Sequence, residues 1–252
     1  VDERTAFLAT ICAAPDADAP RLVFADWLDE HGDIDRATFI RLQCQLARAD
    51  SLAAQRAVRH QEQELFAHHH ARWLGELPKL DGVWFDTFQR GFVAGANFVS
   101  FDAWLRHAET VFTASPIHTV SVQLTQPSVP RFVGSPWLAR LTTLKLERSN
   151  LDDAGMAALA LSPYLVGVRT LRLAHNLITN GGARSLAGRC CLMNLVDLDL
   201  SNNLIGSIGA QALIDAPHLQ QLHRLRLTGN RIPPVMAARL RYRFGVRVEV
   251  EG

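Results

Sequence analysis

A pattern with apolar residues at its first, fourth and sixth positions recurs at a spacing of 27 residues: Leu141, Leu144, Leu146; Val168, Leu171, Leu173; Leu195, Leu198, Leu200; Leu222, Leu225, Leu227. A fixed period of this size constrains a chain more than its composition does, because it marks one supersecondary unit stacked on copies of itself. The same phase carries Ser149, Asn176, Asn203 and Asn230, followed two residues later by Leu151, Ile178, Ile205 and Ile232. The second half of each unit also repeats, with Gly155, Gly182 and Gly209, then Leu159, Leu186 and Leu213. Asp153, Asn180 and Ser207 precede those glycines and suit the capping of a helix. The last unit places Pro234, Met236 and Leu240 there, and proline is at home in a first helical turn.

Each unit is therefore predicted to be a short strand, a turn and a helix of roughly ten residues, which covers its apolar face only by stacking on its neighbours. Strands about 4.8 Å apart would lie parallel on an inner, concave side, with helices outside. The asparagines would form a ladder satisfying backbone groups where the chain leaves each strand. This is the leucine-rich repeat pattern. Degenerate copies are read from about 93 (Val93, Ala96, Phe98) and 117 (Ile117, Val120, Val122), with a helix between them carrying Leu105, Ala108 and Phe112. Val246, Val248 and Val250 alternate with charged residues and predict a closing strand over 245–251.

The first eighty residues have another texture. Four helical stripes are read, around Phe7 and Ile11, Leu22 to Leu28, Phe39 to Leu46, and Val58 to Trp73, separated by turn signals at Pro15-Asp16, Gly32-Asp33 and Asp50-Ser51. The expected fold class is thus α/β, a repeat solenoid over 81–252 preceded by an all-α domain over 1–80. The run Pro20-Arg21-Leu22-Val23-Phe24-Ala25-Asp26-Trp27-Leu28-Asp29-Glu30-His31-Gly32-Asp33, followed by Phe39-Ile40-Arg41-Leu42-Gln43, resembles the repeat-companion domain that precedes leucine-rich repeats in large families of certain bacteria. Arg90-Gly91-Phe92-Val93 resembles the strand that follows it there. The downstream units are similar to ribonuclease-inhibitor-type repeats in their helix glycines and leucines. These resemblances imply a bacterial repeat protein and carry no catalytic activity with them.

Motifs for chemistry are weak. His68-His69-His70 lies on a helix, where consecutive side chains diverge by about 100°, so metal binding is not expected and His69 is read as a core residue. Asp26 is read as fixing the bundle by pairing with Arg21 or Arg41. Cys12, Cys44, Cys190 and Cys191 have neither a disulfide framework nor metal spacing, and reduced thiols in a cytoplasmic setting are expected. No phosphate loop, nucleophile elbow or zinc-protease motif occurs, so no enzyme, cofactor or metal is expected. No apolar run approaches the ~18 residues of a membrane span. Val1-Asp2-Glu3-Arg4 lacks a secretory pattern and an initiator methionine, which leaves the native N-terminus open.

The surface remains. Residues between the apolar strand positions face the concave side, where Lys145, Glu147, Thr170, Arg172, Asp197, Asp199, Arg224 and Arg226 form a mixed-charge patch, read both as neighbouring rungs neutralising one another and as the binding face for a protein partner. The chain has 26 basic and 25 acidic residues, a net charge of +1, so no global field points to nucleic acid. The alternative site is a basic patch of Arg231, Arg239, Arg241, Arg243 and Arg247, read mainly as a solvated capping face and secondarily as a phosphate binder. A monomer with an unidentified protein partner is the expectation; the alternatives are a nucleic-acid binder and a regulator of a partner enzyme.

Overall fold

A computed structural model describes residues 2–188, 191–245 and 248–250. The chain divides into two compact units, Val1–Asn97 with Arg106–His118 and Phe98–Leu105 with Thr119–Gly252. Chain order in the first part is α1 (Glu3–Ala13), α2 (Ala19–Glu30), α3 (Ile34–Arg48), α4 (Leu52–Gly75), β1 (Val83–Gln89), β2 (Phe92–Phe98) and α5 (Phe101–Ala114). There follow β3 (Thr119–Val122), α6 (Val129–Val133), β4 (Thr143–Lys145), α7 (Asp153–Leu161), β5 (Thr170–Arg172) and α8 (Asn180–Ala187). The last elements are β6 (Asp197–Asp199), α9 (Ser207–Asp215), β7 (Arg224–Arg226), α10 (Pro234–Phe244) and β8 (Val248–Glu249).

In the first unit the four expected helices form for local reasons. The Asp2 carboxylate accepts the Thr5 N–H at 2.7 Å and opens α1, and the Ser51 hydroxyl accepts the Ala54 N–H at 3.2 Å and opens α4. These caps satisfy N–H groups that have no partner within the helix. Ile11, Phe24, Leu28, Ile40, Cys44 and Phe92 make one core cluster. Burial pushes the Cys44 thiol up to about 11, which keeps it protonated and unreactive. Phe39, Phe66, Trp73 and Phe88 make an aromatic group, with Phe39 stacked on Trp73 at 4.5 Å.

One sequence expectation is corrected here, and a second is met at the surface. His69 is not a core residue: its side chain is 26% exposed, lies 3.2 Å from Asp35 and stacks on Trp73 at the edge of the aromatic group. Asp26 does pair with Arg41, at 2.6 Å, but on the surface, with 70% of its side chain exposed. The buried partner role falls to Arg21, whose guanidinium donates to the carbonyls of Ala14, Pro15 and Ala17. Helix period placed Asp26 in an apolar run without fixing which side of that run faces solvent.

The second unit stacks its strands in parallel. Thr119, Thr143, Thr170, Asp197 and Arg224 stand abreast, as do Ser121, Lys145, Arg172, Asp199, Arg226 and Glu249. The inward leucines are sealed: Leu144, Leu171 and Leu198 are fully buried, each covered by the next rung. The asparagine ladder is present. Asn176 accepts the N–H groups of Ser149 and Leu151 at 3.0 Å and donates to the carbonyls of Leu146 and Leu173 at 2.9 Å. Asn203 and Asn230 repeat this one and two rungs further on. Ser149, buried in the corresponding place, donates no amide but accepts the Leu124 N–H at 3.1 Å.

The helix caps differ from expectation by one residue and one rung. Asp152 and Thr179 cap α7 and α8, accepting from Gly155 and Gly181, and Gly206 stands at the head of α9 without a side-chain bond. Asp153 and Asn180 instead serve the next rung, as described below. Before three of the strands a 3-10 turn starts on a proline, at Pro136, Pro163 and Pro217, and buries Leu138, Leu165 and Leu219. Cys12, Cys44 and Cys191 form no disulfide among the described residues, and Cys190 lies outside them. No described helix is long and apolar enough to cross a membrane.

Candidate functional site

The strand rows carry every member of the expected concave patch. Lys145 ends β4, Thr170 and Arg172 bound β5, Asp197 and Asp199 bound β6, and Arg224 and Arg226 bound β7; Glu147 lies just past β4 and is exposed. Alternation explains the placement, since the middle residue of each three-residue strand points into the core and its flanking residues point out.

Most of these charges are engaged with one another. Arg172 reaches Asp197 at 3.4 Å and Asp199 at 3.5 Å, one and the same guanidinium spanning two rows. Arg226 reaches Asp199 at 3.3 Å and Glu249 at 3.2 Å, and Arg224 lies between Asp197 and Glu249 at 3.9 and 3.8 Å. Asp199 also accepts the Ser201 N–H at 3.0 Å, which fixes its rotamer. Three arginines thus balance three carboxylates in a lattice that crosses β5 to β8. Its sixth member, Glu249, was not among the expected site residues. The alternation Val248, Glu249, Val250 already pointed it outward, but only the rung register places it beside Arg226.

The lattice has a neutral and unengaged flank. Lys145 and Glu147 make no ion pair among the described residues, and the threonines of the neighbouring row, Thr143 and Thr170, are half-buried. The concave rows therefore grade from a polar end with one free cation and one free anion to a locked, mutually neutralised charge grid. Among the described residues no group of three His, Cys, Asp or Glu side chains is placed to hold a metal ion.

Three arginines of the basic patch are engaged with their own chain. Arg241 donates to the Val250 carbonyl, and Arg243 donates to the Ile214 carbonyl at 3.2 Å and lies over the Phe244 ring at 5.2 Å. Arg239 lies 3.7 Å from the Met236 sulfur. Arg231 is exposed in the turn before α10, and Arg247 lies outside the described residues. Arginines tied to carbonyls of their own chain fasten the end of the array.

The family described as Leucine Rich repeat matches residues 140–160, 168–187 and 191–213. No curated protein matches the chain. Among solved structures, an internalin from Listeria monocytogenes is similar at 16% identity with a TM-score of 0.33, over 56% of this chain and 49% of that one. The chain thus spans about half the length of that internalin. The parallel strand stack, the asparagine ladder and the family match agree that the chain carries leucine-rich repeats.

Proposed function

We propose that this chain is a non-enzymatic protein-interaction module whose partner seats on the concave rows from Lys145 to Arg226. Repeat solenoids in general present concave surfaces of this kind to protein partners. The observation that carries the reading here is the pre-ordered charge lattice. Arg172 and Arg226 are held by Asp197, Asp199 and Glu249, so a partner meets guanidinium planes whose rotamer freedom is already restricted. Ordering a long side chain at an interface costs roughly 0.5–1.5 kcal/mol, and a surface that has met this cost in folding recognises more tightly for the same area. Lys145 and Glu147, without an ion pair among the described residues, would add the orientation that complementary charge gives. The resemblance of the N-terminal helices to repeat-companion domains supports a bacterial origin, and the thiols, without a disulfide framework, support a cytoplasmic setting.

The test is capture of a partner by the full chain from native lysate, compared with the charge swap Asp199→Arg with Arg226→Asp. The swap keeps an acid–base pair in place and inverts the pattern offered outward. Capture lost at an unchanged melting temperature supports the concave site. Equal capture by the swapped chain and by Lys145→Glu removes it.

A further inference from the structure

Arg36 lies one turn into α3 and is 6% exposed. Taking a guanidinium out of water costs several kcal/mol unless acceptors replace the water it loses. Arg21, on the neighbouring helix and 1% exposed, meets most of that need with three backbone carbonyls at 2.6 to 3.4 Å, although its Nε is sealed without a partner. Arg36 has no such set. Among the described residues it forms no ion pair or hydrogen bond, and its Nη1 is sealed from solvent without a partner.

What surrounds it is aromatic. The guanidinium carbon stands 4.6 Å from the Trp73 ring centre, 5.4 Å from Phe92, 5.8 Å from Phe88 and 6.0 Å from Phe39. Ring faces attract a cation, by up to about 2 kcal/mol when desolvated, yet they accept none of its five N–H groups in the geometry a carboxylate offers. Burial lowers the Arg36 pKa to about 10, with Glu76 and Asp33 partly opposing, so the group stays charged at neutral pH.

Arg36, Trp73 and Phe92 line a cavity of about 330 Å³ within the first unit. Leu8, Phe24 and Leu77 are among the residues of its apolar wall, Ser115 adds a hydroxyl, and Arg4 and Glu76 supply its other charges. Those two are committed to each other, at 2.6 Å, and both are partly exposed to solvent. The lining therefore holds two cations and one anion, and the cation left without a counter-ion is the one buried among the rings.

We propose that this cavity is a binding site for a small organic monocarboxylate, its carboxylate paired with Arg36 and its apolar body lying against Trp73, Phe24 and Phe92. The charge count favours one negative charge over two, because a second would face the Glu76 carboxylate. Planar, two-pronged pairing is what a guanidinium offers a carboxylate. The volume falls at the small end of ligand pockets and, at about 30 Å³ per water-sized group, holds roughly ten non-hydrogen atoms. This site is separate from the concave rows, and each stands without the other.

The experiment is calorimetric titration of the full chain with hexanoate and 3-phenylpropanoate, each against its neutral amide. At least tenfold tighter binding of an acid than of its amide is expected, and Arg36→Met should erase that difference. Equal affinity for acid and amide, or an acid affinity unchanged in Arg36→Met, overturns the site. Should Arg36→Met fail to fold, the nitrogen-15 spectrum of the wild-type arginine side chains decides. The Arg36 Nε–H signal should shift with hexanoate and stay still with hexanamide, and an unmoved signal overturns the proposal.

Discussion

Asp153 sits in the first turn of α7, yet its carboxylate serves a residue 26 positions on: it accepts the Thr179 N–H at 2.7 Å and the Thr179 hydroxyl at 2.5 Å. Asn180 does the same one rung later, accepting the N–H groups of Gly206 and Gly209, both at 2.8 Å. Each helix start thus holds the next one, and the outer layer is laced rung to rung as the inner layer is by the asparagines. Asp153→Ala should cost about 1–2 kcal/mol in urea denaturation at neutral pH, the usual loss when a helix start loses its acceptor. The effect has a pH signature. Burial alone would raise the Asp153 pKa, but the bonds from Thr179 and the Gly182 N–H, with the Arg184 charge, together outweigh it and hold the carboxyl below its ordinary 3.8. A lowered folded pKa gives stability that is complete above the unfolded value and lost as pH falls through the folded one. The gap between wild type and variant should therefore narrow below pH 3.8. A gap that is the same at both pH values would assign it to packing.

Asn176→Ala removes acceptor and donors together, orphaning the buried N–H groups of Ser149 and Leu151 and the carbonyls of Leu146 and Leu173. An unsatisfied buried group costs roughly 1–3 kcal/mol, so a loss of about 3 kcal/mol or more is expected after partial relaxation. Asn230 stands on the last full rung and is only half-buried, so Asn230→Ala should cost less. Matched chemical denaturation of the two variants checks the order, and an equal loss would show that position in the stack does not matter.

The inner half of each rung was legible in the residues because period and chemistry agree there. Leucine at the strand centre must be buried, and asparagine alone offers an amide of both polarities at the bend. The outer half misled by one position. Asp153, Asn180 and Ser207 look like caps, and the residues ahead of them, Asp152, Thr179 and Gly206, are equally plausible ones; only the distance between neighbouring rungs shows that Asp153 and Asn180 look forward. The charge rows were legible as rows, since 27-residue spacing aligns Arg172, Asp199 and Arg226. That neighbouring rungs neutralise one another was legible from the alternating signs, but which guanidinium meets which carboxylate, and Glu249 as the closing member, follow from side-chain reach across strands, which no period encodes. The Arg36 cavity left no trace in the pattern. An arginine three residues past a turn reads as a solvated helix face, and its burial depends on Trp73 and Phe92, 37 and 56 positions away.

His118 follows α5 and is half-buried, and burial lowers its pKa from the ordinary 6.5, with Asp16 opposing and Arg21 and Arg90 adding to the lowering. The neutral ring is therefore the folded form. Between the folded and unfolded values the unfolded chain binds the extra proton, so stability is complete above pH 6.5 and declines as the solution is acidified through that window. Melting temperatures of wild type and His118→Gln, compared between pH 8 and pH 5, should diverge in slope, with the variant flatter (pH range chosen about one unit and more to either side of the ordinary histidine value). Parallel slopes would take His118 out of the acid response.

Gly91 explains why two separated motifs travel together in this chain. Arg90 and Gly91 both take positive φ, 49° and 83°, and turn β1 back into β2. The Gly91 N–H donates to the Gln43 Oε1 at 2.7 Å, and a Cβ built on Gly91 would fall 2.4 Å from the Ile40 Cγ1 and 2.7 Å from the Ile40 Cα. No rotamer of Ile40 relieves the second of these clashes, because it is with backbone. The Ile40 to Gln43 turn of α3 and the Arg90-Gly91 turn therefore fix each other, one supplying the acceptor and the other the absence of a side chain. Gly91→Ala meets both the positive φ and the overlap, and a loss of more than about 3 kcal/mol is expected, since overpacking alone costs typically 1–3 kcal/mol. Gln43→Ala removes only the acceptor and should cost about 1–2 kcal/mol. Denaturation of both variants, read by tryptophan fluorescence, distinguishes the parts. A mild Gly91→Ala, no worse than Gln43→Ala, would mean that the hairpin shifts away from α3 with little resistance, and that the close approach to Ile40 does not hold the unit together.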